Sequence, residues 1–156
     1  MDLSYKEKSV WISLISTIAI FGYYFFNVIN LSYLAPEIAK VSAAGLAIQA
    51  IIMIIIVETL FQSLLAIGNH KAAEMADDER EQLIGYKSNV WGYRILILGV
   101  MLVLGRIVIL EFNPQYLSDY GSEGIPLFTA HLLLFSFILS EVVRFSSQIY
   151  YYRSGC

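Results

Sequence analysis

Four long apolar runs dominate this 156-residue chain, and polar stretches separate them. The runs cover about residues 10–28, 43–67, 90–110 and 125–149. Each holds about 20 or more residues, and at 1.5 Å per helical residue that length crosses a ~30 Å hydrocarbon core. The pattern predicts four transmembrane helices, folded as an all-α four-helix transmembrane bundle of two hairpins within a single domain spanning 1–156.

The first apolar run is longer than the ~7–15 residues of a signal-peptide core, and no small-residue cleavage site follows it promptly. It reads as a retained first span. Pro36 and Glu37 suit the first turn of the second helix, because proline lacks only a donor that would be orphaned there and an acid complements the helix dipole. Gly68 marks its end. Residues 68–89 form the most polar connector. Ala72, Ala73, Met75 and Ala76 favour helix within it, and the expected form is a solvated helical segment.

Composition fits the same class. Hydrophobic residues make up 58% of the chain and charged residues 15%, against about 25% charged in an ordinary soluble domain. The net charge of -3 gives no basic footprint for nucleic acid. A single cysteine, Cys156, excludes an internal disulfide and a cysteine metal site. Four spans place both termini on one side. That side and its helix ends carry Lys6, Lys8, Lys71, Arg80, Lys87, Arg94, Arg144 and Arg153, whereas the other side has only Lys40 and Arg106. The positive-inside rule then predicts cytoplasmic termini and a cytoplasmic 68–89 connector in a cell (inner) membrane. Trp11, Trp91, Tyr93 and Tyr150–Tyr152 would form the aromatic belt at that face, and Tyr33, Tyr116 and Tyr120 the opposite one.

Candidate chemistry lies in polar groups inside the spans. An ionised side chain in hydrocarbon costs at least ~3 kcal/mol, so such residues face a partner or water. Glu58 and Gln62 share one helical face at i, i+4, and Glu141, Arg144 and Gln148 share another at i, i+3, i+7. One reading is a neutral network, Glu58 with Arg94 and Glu141 with Arg144, that pins helices together. The other is a proton or cation path through Glu58 and Glu141. On the first helix Ser13, Ser16, Tyr23, Asn27 and Asn30 read as a polar stripe, either a hydrogen-bonded seam or the wall of a wet path. Gly85, Gly92 and Gly99 recur every seven residues on the third helix, where glycine admits a close neighbour. Ala43, Ala47 and Ala50 offer a similar smooth strip on the second.

No cofactor or metal is expected. His131 lies in the outer half of the fourth span and the other histidine, His70, in the opposite connector, so a membrane haem lacks its second ligand. Asp77, Asp78 and Glu79 are contiguous and diverge around a helix. The chain has no zinc-protease, phosphate-loop or nucleophile-elbow motif.

Two features suggest an internal repeat. Tyr5-Lys6 and Val10-Trp11 before the first span are echoed by Tyr86-Lys87 and Val90-Trp91 before the third. The tryptophans lie 80 residues apart, and Glu58 and Glu141 lie 83 apart. A parallel repeat of two hairpins would make the two acids symmetry mates.

Asp78-Glu79-Arg80-Glu81 stands ahead of a third span containing Gly85, Gly92 and Tyr93. Glu141 lies in the last span and Tyr151-Tyr152-Arg153 near its end. On these residues the chain resembles the small, uncharacterised four-helix integral membrane proteins of bacteria and archaea. Some of those are encoded beside small DNA-binding regulators, which implies a membrane sensor or partner role. The expected function is a non-enzymatic oligomeric or accessory component, and the alternative is a small proton- or cation-conducting transporter or channel. The expected partners are the lipid bilayer and either a second copy or another membrane or cytoplasmic protein.

Overall fold

The computed structural model describes residues 3–31, 34–70, 78–113 and 125–154. Tyr33, Lys71, the alanine-rich stretch from Ala72 to Ala76, Asp77, Tyr116, Tyr120 and Cys156 lie outside them. Four helices make up the fold: α1 (Tyr5–Asn30), α2 (Pro36–Gly68), α3 (Glu79–Phe112) and α4 (Phe128–Ser154). All four are long and apolar enough to cross a membrane. The protein is a small multi-pass, four-helix membrane bundle.

Local chemistry sets the helix ends. The Ser4 hydroxyl accepts from the Glu7 amide at 3.1 Å and opens α1. The Asp78 carboxylate accepts from the Glu81 amide at 2.6 Å and opens α3, with Glu79 and Glu81 in its first turn. Both are Ser/Asp-x-x-Glu starts, which satisfy amide groups that have no partner within the helix. Pro36 opens α2. Ahead of α4, Leu127 takes a positive φ of 56°, the left-handed conformation that turns the chain into the helix at an energetic cost for a branched side chain.

The helices overrun the apolar runs that predict them. With 33 and 34 residues, α2 and α3 are each roughly 50 Å long, well beyond a ~30 Å core. The expected connector does not end where α3 begins. Glu79–Asn89, the second half of that stretch, continues into α3 as one helix, because Asp78 caps it and no glycine–proline break follows.

Packing sets the lateral order α2–α1–α4–α3. α3 and α4 form the most extensive pair, α1 packs on both α2 and α4, and the remaining pairings are slight. The core where α1 meets α2 and α4 comprises Phe21, Tyr24 and Val28 with Ala50 and Ile138. A two-fold repeat would map the α1–α4 contact onto α3–α2, and that second contact is slight. Helix packing therefore does not display the repeat's symmetry. The Glu7–Arg153 pair and the Tyr24–His131 bond run α1 and α4 antiparallel and bring both described chain ends to one face of the bundle.

Candidate functional site

Polar side chains meet at three places, one at each helix seam or its flank. The first joins α1 to α2. Ser9 donates its hydroxyl to the Gln62 Oε1 at 2.8 Å, and Ser13 donates to the Glu58 Oε2 at 2.9 Å. The Gln62 amide nitrogen addresses the Ser9 carbonyl at 3.3 Å and the Ser13 hydroxyl at 3.2 Å. Its contact with Glu58 is longest, at 3.5 Å. The i, i+4 spacing of Glu58 and Gln62 presents both to the same strip of α1, where Ser9 and Ser13 recur at the same interval. Ser13 is buried and Glu58 half-buried.

The second lies on α4 beside α3. Arg144 pairs with Glu141 one turn earlier on its own helix, through Nε at 3.1 Å and through Nη2. Its guanidinium also covers the Phe145 ring at 4.3 Å. Gly92 makes room for it: a Cβ there would stand 3.1 Å from the Arg144 Cβ and 3.2 Å from the Ser140 carbonyl oxygen. Gln148 is half-buried on the same helix and outside the pair.

The third is the buried hydrogen bond between the Tyr24 hydroxyl and the His131 Nδ1, 2.5 Å long. The rings meet edge to face, 5.7 Å apart. The buried Nε2 has no well-formed hydrogen bond, and the Pro126 carbonyl is the backbone group that interacts with the ring. A coherent tautomer follows: Nδ1 accepts from tyrosine and Nε2 carries the ring proton.

These positions redraw the expected network. Glu58 is bonded to Ser13 and Gln62, whereas Arg94 is exposed and lies over the Trp91 ring at 5.2 Å. The expected Glu58–Arg94 pair is therefore not formed. The reason is lateral order: Glu58 sits on α2 and Arg94 on α3, at opposite edges of the bundle. Glu141 and Arg144 do pair, but within one helix, so their bond does not tie two helices. The antiparallel register puts Glu141 about level with Ser16, close in depth to the Ser13–Glu58 bond, yet at a different seam.

The expected α1 stripe divides. Ser13 and Ser16 are buried, but Tyr23 is 65% exposed, Asn27 is half-buried and Asn30 is exposed. Asn27 and Asn30 donate to the carbonyls of Tyr23 and Phe26 on their own helix. A 3.5-residue repeat drifts on a straight 3.6-residue helix. From Ser13 to Asn30 the drift is about 100° at 100° per residue. The buried face follows the helix instead, through Ser13, Thr17, Phe21, Tyr24 and Val28. The glycines divide as well. Gly92 and Gly99 face α4, while a Cβ on Gly85 would meet nothing within 4 Å among the described residues. At that level Ile84 and Ser88 face inwards instead.

Ser9, Tyr24, Ser136 and Ser140 were not among the expected site residues. The Ser9/Ser13 spacing and the Ser136/Ser140 spacing carried the signal, each a small polar residue recurring at i, i+4. Tyr24 and His131 carried none, since 107 residues separate them.

The end of the bundle that bears the termini is rich in rings and cations. Arg153 lies over Trp11 at 5.4 Å, and Lys87 over Tyr151 at 5.6 Å. The Trp91 indole donates to the Tyr151 hydroxyl at 3.1 Å. Such ring–cation pairs suit a membrane–water boundary, where one end of each side chain is apolar and the other wet. Among the described residues no three His, Cys, Asp or Glu side chains converge as a metal site would require. Comparisons of the chain with protein-family models, with curated proteins and with solved structures give no match.

Proposed function

We propose that the protein is a non-enzymatic accessory component of the cell (inner) membrane, with both chain ends in the cytoplasm, whose intramembrane acids are structural, Glu58 acting as a helix clasp. The observation that carries this reading is the carboxylate of Glu58, which accepts from Ser13 across the α1–α2 seam and from Gln62 on its own helix. Glu141 is likewise engaged by Arg144. Each acid thus has its own local partner, and one interhelical clasp with one separate intrahelical pair suits structure better than a shared translocation centre. The excess of Lys and Arg at the face bearing the termini supports cytoplasmic chain ends. The resemblance to small four-helix membrane proteins, some encoded beside DNA-binding regulators, supports a sensor or partner role. The partner would be a second copy or another membrane or cytoplasmic protein.

One observation favours the alternative, a proton or cation conductor. Ser9, Gln62, Ser13 and Glu58 form an unbroken chain of hydrogen-bonding groups that leads inward from the face bearing the termini. Proton flux into proteoliposomes under an imposed potential separates the two readings. The clasp reading expects flux no greater than in empty vesicles. Flux that disappears in Glu58→Gln, in protein that remains folded, overturns it in favour of conduction.

A further inference from the structure

Near the end of the bundle opposite the termini, α3 and the start of α4 enclose an open groove of about 590 Å³. Its walls include Leu110, Phe128, Ala130 and Leu133, with Thr129 and Arg106 as polar groups. Arg106 lies one turn inside the expected end of the third apolar run. Its Nε is buried without a hydrogen-bond partner, and its guanidinium lies over the Phe128 ring at 4.6 Å. Arg144, on the fourth helix, has a carboxylate; Arg106 has none among the described residues. A buried guanidinium donor left unsatisfied is costly, and more so where lipid replaces water.

The geometry points to a binding site for an anionic phospholipid of the adjacent leaflet, with its headgroup phosphate on Arg106 and an acyl chain along the groove. Three features select that occupant. The guanidinium presents donors in a planar fork that matches two phosphate oxygens. The depth suits a headgroup, since a long basic side chain near a helix end reaches the membrane boundary. The apolar walls suit a hydrocarbon chain and give a free inorganic ion little to bond. Among the described lining residues Arg106 is the one charged side chain, so a headgroup with net negative charge is preferred over a zwitterion, whose own ammonium competes with Arg106 for the phosphate. This inference needs only the membrane-spanning fold and is independent of whether the acids clasp or conduct.

Native mass spectrometry of the purified full-length protein tests it, with dioleoylphosphatidylglycerol and dioleoylphosphatidylcholine as probes. The expected result is retention of one phosphatidylglycerol under conditions that strip phosphatidylcholine. Arg106→Gln should weaken that retention at least tenfold. Ala130→Trp, which fills the groove and keeps the charge, should weaken it as well and guards against a folding defect in the first variant. Unchanged phosphatidylglycerol retention in either folded variant overturns the proposal. Displacement of the lipid by millimolar inorganic phosphate would identify a free-anion site and overturn it too.

Discussion

Gly99 is where the α3–α4 packing is least forgiving. A Cβ added there would stand 2.5 Å from the Ser136 Oγ and 3.3 Å from the Ser136 Cα, and closer still to the Ser136 Cβ. Rotating the serine hydroxyl away does not relieve the clash, because Cβ stays fixed to the backbone under any rotamer. Gly99→Ala must therefore push the two helices apart or tilt them. Overpacking of this kind costs about 1–3 kcal/mol. Alanine's better helix propensity offsets little of it, since a membrane-inserted helix keeps its backbone hydrogen bonds even when separated from its neighbours. A net loss of about 2 kcal/mol corresponds to roughly a 30-fold fall in the equilibrium constant for helix association. The measurement is reversible unfolding in mixed micelles, with Gly85→Ala and Gly105→Ala as controls, because a Cβ at either meets nothing within 4 Å among the described residues. Both controls should stay within about 0.5 kcal/mol of the parent. Ser136→Gly should restore Gly99→Ala, giving a double-mutant coupling above about 1 kcal/mol. A Gly99→Ala protein as stable as the Gly85→Ala control, or no rescue by Ser136→Gly, refutes the close α3–α4 approach.

Two further substitutions address the polar ties. Tyr24→Phe removes the donor to His131 Nδ1 and leaves a buried acceptor unpaired, so the same unfolding assay should show a loss of about 1–3 kcal/mol; a neutral effect would mean the bond is not formed. Ser13→Ala deletes one donor to Glu58 and should cost about 0.6–1.7 kcal/mol, the range of interhelical hydrogen bonds within membranes. Combined with Glu58→Gln it should cost less than the sum of the two single changes, and strict additivity would separate the two side chains.

Four spans were legible because a run of 20 apolar residues has few physical interpretations. The pairing of helices was not. Sequence spacing identifies residues that share a face, as with Glu58 and Gln62, but it does not say which helix that face meets. By sequence alone Arg94 suits Glu58, and the lateral order keeps the two apart. The α1 stripe failed for a narrower reason. Steps of three, seven, four and three residues sweep about 100° round the helix from Ser13 to Asn30, and Ser13 and Ser16 face inwards while Tyr23 and Asn30 do not. Tyr24 and His131 were each visible as lone polar residues in apolar runs. Only the antiparallel α1–α4 register, fixed by the bundle as a whole, brings them together.

That order itself needs a cause, and lipid removes the usual one. Acyl chains are as apolar as the isoleucines of α2, so burying Ile51 or Ile55 against another helix gains little over leaving it in the bilayer, and both are exposed here. Selection must come from groups that lipid cannot satisfy and from surfaces that approach unusually closely. α1 carries Ser9 and Ser13 for α2, and Tyr24 for α4. α3 offers Gly92 and Gly99 to the serines of α4. No comparable feature links α2 to α3 among the described residues, and their contact is slight. The sequence α2–α1–α4–α3 thus follows the distribution of hydroxyls, amides and glycines along the helices, and the aliphatic residues that make up most of each span are left to face the bilayer.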